Sequence, residues 1–310
     1  MGINPIFALQ TALGILTAAF LVGWTAAILA VRGTPRADDS PATDAAVPTG
    51  AQVGIGALTN FFDTLGIGSF ATTTAIFRAF RIVPDRFFPG TLNVGHTLPT
   101  VVQAIIYTTI VRVDALTLFA LIAAAVLGAW LGAGVVSSWP KQKVQIGMGA
   151  ALLGAAVLMF MTQMNMFPGG GEALGVRGAK LAIGVGVNFV LGALMSLGIG
   201  LYAPCMILVS LLGMNPTAAF PIMMGSCAFL MPVGSLRFIR ERCYGLRAAL
   251  GLAIGGIPGV LLAAYIVKSM PIYAVRWLVI VVVVYTALTM LKAGLSAEHA
   301  IERRAAKAEI

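Results

Sequence analysis

The sequence predicts an all-α polytopic membrane protein of two repeats, each a broken helix or re-entrant hairpin followed by three spanning helices, with one extra helix in front. Three observations predict it. The first is composition: 310 residues that are 59% hydrophobic and 10% charged, with a mean hydropathy of +0.96, are too apolar for a soluble domain. The second is a recurrence. Residues 64–89 read TLGIGSFATTTAIFRAFRIVPDRFFP and residues 196–221 read SLGIGLYAPCMILVSLLGMNPTAAFP, so Gly66, Gly68, Pro84 and Pro89 meet Gly198, Gly200, Pro216 and Pro221 at one constant offset. The third is where the charge sits. The net charge of +9 lies between apolar runs, where cations orient a chain in the bilayer, and this argues against nucleic acid as a partner.

The elements follow in order. The apolar run over residues 5–31 exceeds the apolar core of a cleavable signal and no Lys or Arg precedes it, so it is expected to stay as a spanning helix. Arg32 and Arg36 follow it, which turns the N-terminus outward. Residues 33–50 are rich in Pro, Asp, Thr and Ala and close the first segment, 1–50, as a surface loop. The first repeat is assigned to residues 51–162. It opens with two apolar half-segments over residues 51–83 on either side of Gly66 and Gly68, each shorter than the ~20 residues of a full span. Helices are expected over 85–110, 115–138 and 143–162. Residues 163–178, with Pro168 and three glycines, form the linker. The second repeat, 179–292, has its broken segment over 179–213 and helices over 216–239, 247–268 and 272–292. Residues 293–310 make a charged cytosolic tail.

Cation placement decides whether the broken segments cross the membrane. If both return as hairpins, all but Arg112, Arg177, Lys180, Lys268 and Arg276 of the 20 lysines and arginines share one face. Crossing segments divide them more evenly, so the hairpins fit the positive-inside bias better. Hairpins leave an odd number of spans between corresponding points, which makes the repeats inverted, with the N-terminus outside and the C-terminus cytoplasmic. A glycine pair breaks a helix, and broken backbone inside a bilayer is tolerated where it is buried in protein or lines a cavity. Two such breaks in corresponding halves point to a transporter's binding site, here between the two Gly-Ile-Gly tips at the midplane.

A helix leaving a break presents unpaired N–H groups and a partial positive charge, so the expected ligand is a small anion. Gly66, Gly68, Ser69, Thr72 and Thr73 in the first break and Gly198, Gly200, Tyr202 and Cys205 in the second are the candidate substrate-binding residues. His96, about 16 Å into a helix counted from residue 85, should share the depth of the tips, with Asn93 one turn before it and Ser226 at the matching depth of the second half. Gly-x-Gly also serves simple close packing, and Ser or Thr often bonds back to its own helix; duplication at a fixed offset favours the functional reading. Asp63 ends the first half-helix, where dipole and burial both disfavour a negative charge, which makes it the candidate proton-coupling residue; the alternative is that it bonds the loop's free N–H groups. Cys205, Cys227 and Cys243 show no metal or redox spacing and are expected as free thiols, and no motif calls for a cofactor or metal. GxSxG and HExxH are absent, so an intramembrane enzyme is disfavoured; a passive anion channel is the nearer rival.

These residues carry a family resemblance. LGIGSFATTT, RIVPDRFFPGTLNVGH and TTIVRVD, then LGIGLYAPC, GMNPTAAFPIMMGSCA and RFIRERCYGLR, are similar to the breaks, turns and basic loops of the TauE/SafE sulfite exporter family, also called the toluene sulfonate uptake permease family. The resemblance covers about residues 50–292. It implies transport of sulfite, sulfoacetate or a related organosulfonate across the bacterial inner membrane, coupled to protons. The chain has Gly90, Thr91, Leu92 and Asn93, and Gly225, Ser226 and Cys227, where the family often shows Gly-Thr-Asn in full.

Overall fold

The computed structural model describes residues 5–31, 47–136, 141–164, 166, 171–195 and 201–308. Among these the architecture is all helical, with no β-strand: α1 Pro5–Val31, α2 Gly50–Thr64, α3 Ser69–Phe80, α4 Phe88–Ile110, α5 Ala115–Val136, α6 Lys141–Gln163, α7 Gly178–Met195, α8 Tyr202–Leu211, α9 Ala219–Arg240, α10 Leu246–Ser269 and α11 Ile272–Ala308. Short 3-10 turns, Asp85–Phe87 and Pro216–Ala218, precede α4 and α9. The element starts recur at the offset seen in the sequence: moving α2 to α6 by the spacing between Gly66 and Gly198 lands each within four residues of the start of α7 to α11. Among the described residues, five helices are long and apolar enough to cross a membrane: Pro5–Ala30, Gly178–Met195, Pro216–Arg240, Leu246–Ser269 and Tyr273–Ser296. The chain is therefore an all-α membrane protein. In α5 and α6 the apolar stretches are shorter, Ala115–Leu131 and Gln145–Met161. α4 has the length, at 23 residues, but carries a polar face.

Two compact units emerge, and each draws on both repeats. The first comprises Met1–Ile122 and Phe220–Met270; the second comprises Ala123–Ala219 and Pro271–Ile310. In the first unit α2 and α4 pack against α10 through small residues. A β-carbon on Gly255 or Gly259 would overlap the carbonyl of Val53 or Ala57, and one on Gly95 would come 2.8 Å from Leu252. Helices this close exchange dispersion contacts along their backbones, the packing that substitutes for the hydrophobic effect in lipid. In the second unit α6 pairs with α11, with Phe160 edge-on to Trp277 at 5.8 Å, and β-carbons on Gly128 and Gly192 of α5 and α7 would overlap the carbonyls of Phe189 and Ala125. Lys180 donates to the Leu212 carbonyl at 3.1 Å, placing a cation at the C-terminus of α8.

Three boundaries differ from the sequence reading, one of them the start of α9, which begins at Ala219 rather than residue 216 because Pro216–Ala218 winds as a 3-10 turn. α4 begins at Phe88 rather than residue 85, because Asp85–Phe87 winds as a 3-10 turn ahead of Pro89 in the first helical turn. α11 continues to Ala308, through the segment expected as a tail: AEHAIERRAAKA is rich in strong helix formers, so the helix outlasts its apolar stretch.

Candidate functional site

The site is built by α2, the break at residues 65–68, α3 and α4, all in the first unit. The start of α2 is fixed by a capping box: the Thr49 hydroxyl accepts from the Gln52 N–H at 3.2 Å and the Gln52 side chain accepts from the Thr49 N–H at 2.9 Å. Its end is a Schellman stop. Ile67 N–H bonds the Phe62 carbonyl and Gly66 N–H bonds the Asp63 carbonyl, with Gly66 at φ 96°. Gly68, at φ 87°, then turns the chain into α3. Both positions lie in the left-handed range that glycine adopts freely.

α4 measures the direction of the two half-helices. Phe88 meets Phe77 of α3 at 6.1 Å between ring centroids, His96 meets Thr73 of α3 and Asn60 of α2, and Gln103 meets Asp63 and Thr64 at the end of α2. Going up α4 therefore means going down α3 and up α2. The two half-helices, 15 and 12 residues long, double back on one another as a hairpin with its tip level with Gln103. The sequence reading put His96 at the tip. With α4 starting later, His96 lies about 12 Å into it and Gln103 about 22 Å, so His96 sits below the tip.

At the tip the carboxylate of Asp63 spans the break. Its Oδ1 accepts from the backbone N–H of Ser69 at 2.6 Å, and its Oδ2 accepts from the Gln103 amide at 2.9 Å. The same amide nitrogen donates to the Thr64 hydroxyl at 2.9 Å, which in turn donates to the Asn60 carbonyl at 2.7 Å. Below, His96 bridges the arms: Nε2 is 3.0 Å from the Thr73 hydroxyl and Nδ1 is 3.1 Å from Asn60 Oδ1. Asn60 Nδ2 donates to the Gly56 carbonyl at 2.8 Å, which fixes the amide with Oδ1 toward the ring. Nδ1 therefore carries the hydrogen, and in the neutral ring Nε2 accepts from Thr73. Phe70 packs edge-on against the imidazole at 5.9 Å. Asn60, Asp63, Thr64, Ser69, Thr73, His96 and Gln103 are all buried.

The other predicted residues fall elsewhere. The Thr72 hydroxyl bonds back to Ser69 and Gly68 carbonyls, Asn93 donates to the Pro89 carbonyl, and Ser226 to the Ile222 carbonyl; each serves its own helix. Tyr202 and Cys205 are buried at the start of α8, in the second unit, and Gly198 and Gly200 lie outside the described residues. Asp63 stands at the end of α2 as expected, but its carboxylate points across the break to the N-terminus of α3, where the helix dipole favours a negative charge. Asn60, Thr64 and Gln103 were not among the predicted site residues. Their signal was present: Asn60, Asp63 and Thr64 occupy i, i+3 and i+4 on one helix face, and His96 and Gln103 are separated by two turns. Tyr107, one turn beyond Gln103, stacks on Phe220 at 5.1 Å, and its buried hydroxyl has no hydrogen-bond partner among the described residues.

The arrangement is a helix N-terminus already capped by a carboxyl group, and that group is the chain's own. The described residues contain no group of three or more His, Cys, Asp or Glu side chains placed to hold a metal. The three cysteines carry no disulfide. Fold and site thus define a helical membrane protein with a buried, carboxylate-centred polar network at a helix break. Comparison with family models, curated proteins and solved structures returned no match.

Proposed function

We propose that this chain is a secondary transporter for a small anion, with a sulfur oxyanion such as sulfite or an organosulfonate as the first class to test, in the bacterial inner membrane. The observation that carries the reading is the seat of Asp63 on the Ser69 N–H inside a buried network. In this mechanism Asp63 competes with the substrate. A proton arriving on Asp63 removes its charge and weakens its hold on the Ser69 N–H, and the substrate oxyanion takes the vacated N-terminus with help from the Ser69 hydroxyl. His96 accepts the Thr73 hydroxyl hydrogen and so holds the two arms of the hairpin together. Proton and anion then move together, and release of the proton returns the carboxylate to Ser69 and expels the anion. The sulfur class rests on the resemblance of the two breaks and their turns to the sulfite exporter family. The inverted arrangement of the repeats, each entering as a hairpin, rests on the distribution of cations.

The test is flux into proteoliposomes with sulfite, thiosulfate, sulfoacetate, taurine and a carboxylate control, with and without a pH gradient. Saturable uptake of a sulfur oxyanion, accelerated by an inward proton gradient, is expected. No flux of any sulfur oxyanion would sink the substrate class, and unitary currents would replace the carrier with a channel.

A further inference from the structure

Two arginine-bearing turns meet at one end of the first unit. One joins α3 to α4 and the other joins α9 to α10. They are fastened together: the Gly245 N–H donates to the Thr91 hydroxyl at 2.8 Å, a β-carbon on Gly90 would overlap the Cys243 carbonyl, and one on Gly245 would come 3.3 Å from Val83. Arg247 adds a third segment by donating to the Val47 carbonyl at 2.9 Å. The residues 78–86 and 237–247 hold seven arginines against two acids, Asp85 and Glu241, and Glu241 pairs with Arg237 on its own helix at 2.9 Å. Arg81, Arg86, Arg240, Arg242 and Arg247 are all exposed.

The backbone supplies a second observation. The only non-glycine residues with positive φ among the described residues are Arg81, at φ 50°, and Arg242, at φ 54°. Each follows a helix that ends in the same stop, with Ile82 N–H on the Phe77 carbonyl and Cys243 N–H on the Phe238 carbonyl. The same stop ends α2 and α8, with Ile67 N–H on the Phe62 carbonyl and Met214 N–H on the Val209 carbonyl, and there the left-handed residues are Gly66 and Gly213. Gly213 corresponds to Arg81 at the repeat offset. The chain thus uses glycine where only the turn matters, and places arginine, against backbone preference, at the two stops that come together.

We propose that this end binds the phosphodiester of an anionic phospholipid, held between Arg81 and Arg86 on one turn and Arg240 and Arg242 on the other. Depth argues for a lipid: α9 leaves its apolar span at Arg240 and α10 enters its own at Leu246, so the cations lie where headgroups lie. The bound headgroup ties the end of the α2–α3 hairpin to the α9–α10 turn. The inference is independent of which anion is transported.

The experiment is native mass spectrometry of the purified full chain with phosphatidylglycerol, phosphatidylcholine and soluble glycerol phosphate, alongside melting temperatures. The key variant is the double substitution Arg81→Gly and Arg242→Gly, which removes both cations and relaxes both backbones. Wild type is expected to retain phosphatidylglycerol in preference to phosphatidylcholine. The double variant should lose about thirtyfold of that preference, at roughly fivefold per cation, while its melting temperature in neutral detergent stays level or rises. Arg112→Gln serves as a distant control and should leave the preference unchanged. Equal retention of both lipids, a double variant as selective as wild type, or equal binding of glycerol phosphate would each overturn the proposal.

Discussion

Asp63 is the residue on which most turns. Asp63→Asn keeps the size and one acceptor for the Ser69 N–H but removes the titrating charge, so it should leave the fold intact and abolish the response of flux to a pH gradient; an unchanged response would remove Asp63 as the coupling group. Asp63→Ala leaves the Ser69 N–H and the Gln103 amide without this acceptor and should cost about 1–3 kcal/mol of stability, read as a lowered melting temperature. His96→Ala opens the bridge between Asn60 and Thr73 and should cost a similar amount, about 2–3 kcal/mol, with flux reduced because the arms of the hairpin lose their register. Much of this chemistry could be read from sequence. Asp63, Ser69, Thr73 and His96 stand out as polar residues in apolar runs. Their pairing with Asn60, Thr64 and Gln103 does not, because a hydrogen bond from Gln103 to Asp63 spans 40 positions, and helical periodicity reports one helix at a time.

The break and the turns hold these residues in place through backbone conformation. Gly68 has open space where a side chain would go, so the penalty for Gly68→Ala is conformational alone, about 1–2 kcal/mol. The variant should lower flux more than it lowers expression, since the tip it distorts carries the Ser69 N–H. Gly255→Ala acts differently: the new methyl overlaps the Val53 carbonyl, forcing α2 from α10 at an expected cost of about 1–3 kcal/mol in melting experiments. In the α9–α10 turn, burial pushes the Tyr244 phenol up from its ordinary value near 10. The folded state then holds this proton more tightly than the unfolded chain, so stability is full below about pH 10 and falls as pH rises beyond it; Tyr244→Phe should flatten that alkaline decline. The break at Gly66 and Gly68 and the helix lengths other than that of α11 were legible because glycine pairs and prolines punctuate an otherwise uniform apolar text. The delayed start of α4 was not, since a 3-10 turn and a first helical turn place the same demands on Pro89.

For the whole molecule, the repeat in sequence and the compact units in space are different divisions. The first unit joins α2, α3 and α4 of one repeat to α9 and α10 of the other. The recurrence at Gly66 and Gly198 could be read from sequence, while this exchange could not, because the glycines of α10 that admit α2 look the same as glycines packed within one repeat. The proposed inversion of the repeats predicts that an epitope tag placed in the 163–178 linker is reached from outside in spheroplasts; access only after the inner membrane is permeabilised would contradict it.

The exchange also imposes an order on synthesis. The polar network of the hairpin is complete once α4 has emerged, since its members lie between Asn60 and Gln103. The glycine face of α2 must wait for α10, and the contact between Val47 and Arg247 bridges 200 positions. From the end of α4 at Ile110 to the start of α10 at Leu246, at roughly 5–20 residues per second, the interval is on the order of 7–27 s. For that time the nascent chain holds a finished polar tip on a helix whose permanent neighbour has yet to leave the ribosome, so a ribosome-arrested chain ending after α4 should already protect Asp63 from a carboxyl-reactive probe while leaving Gly56 open to cross-linking by lipid or by an insertion factor.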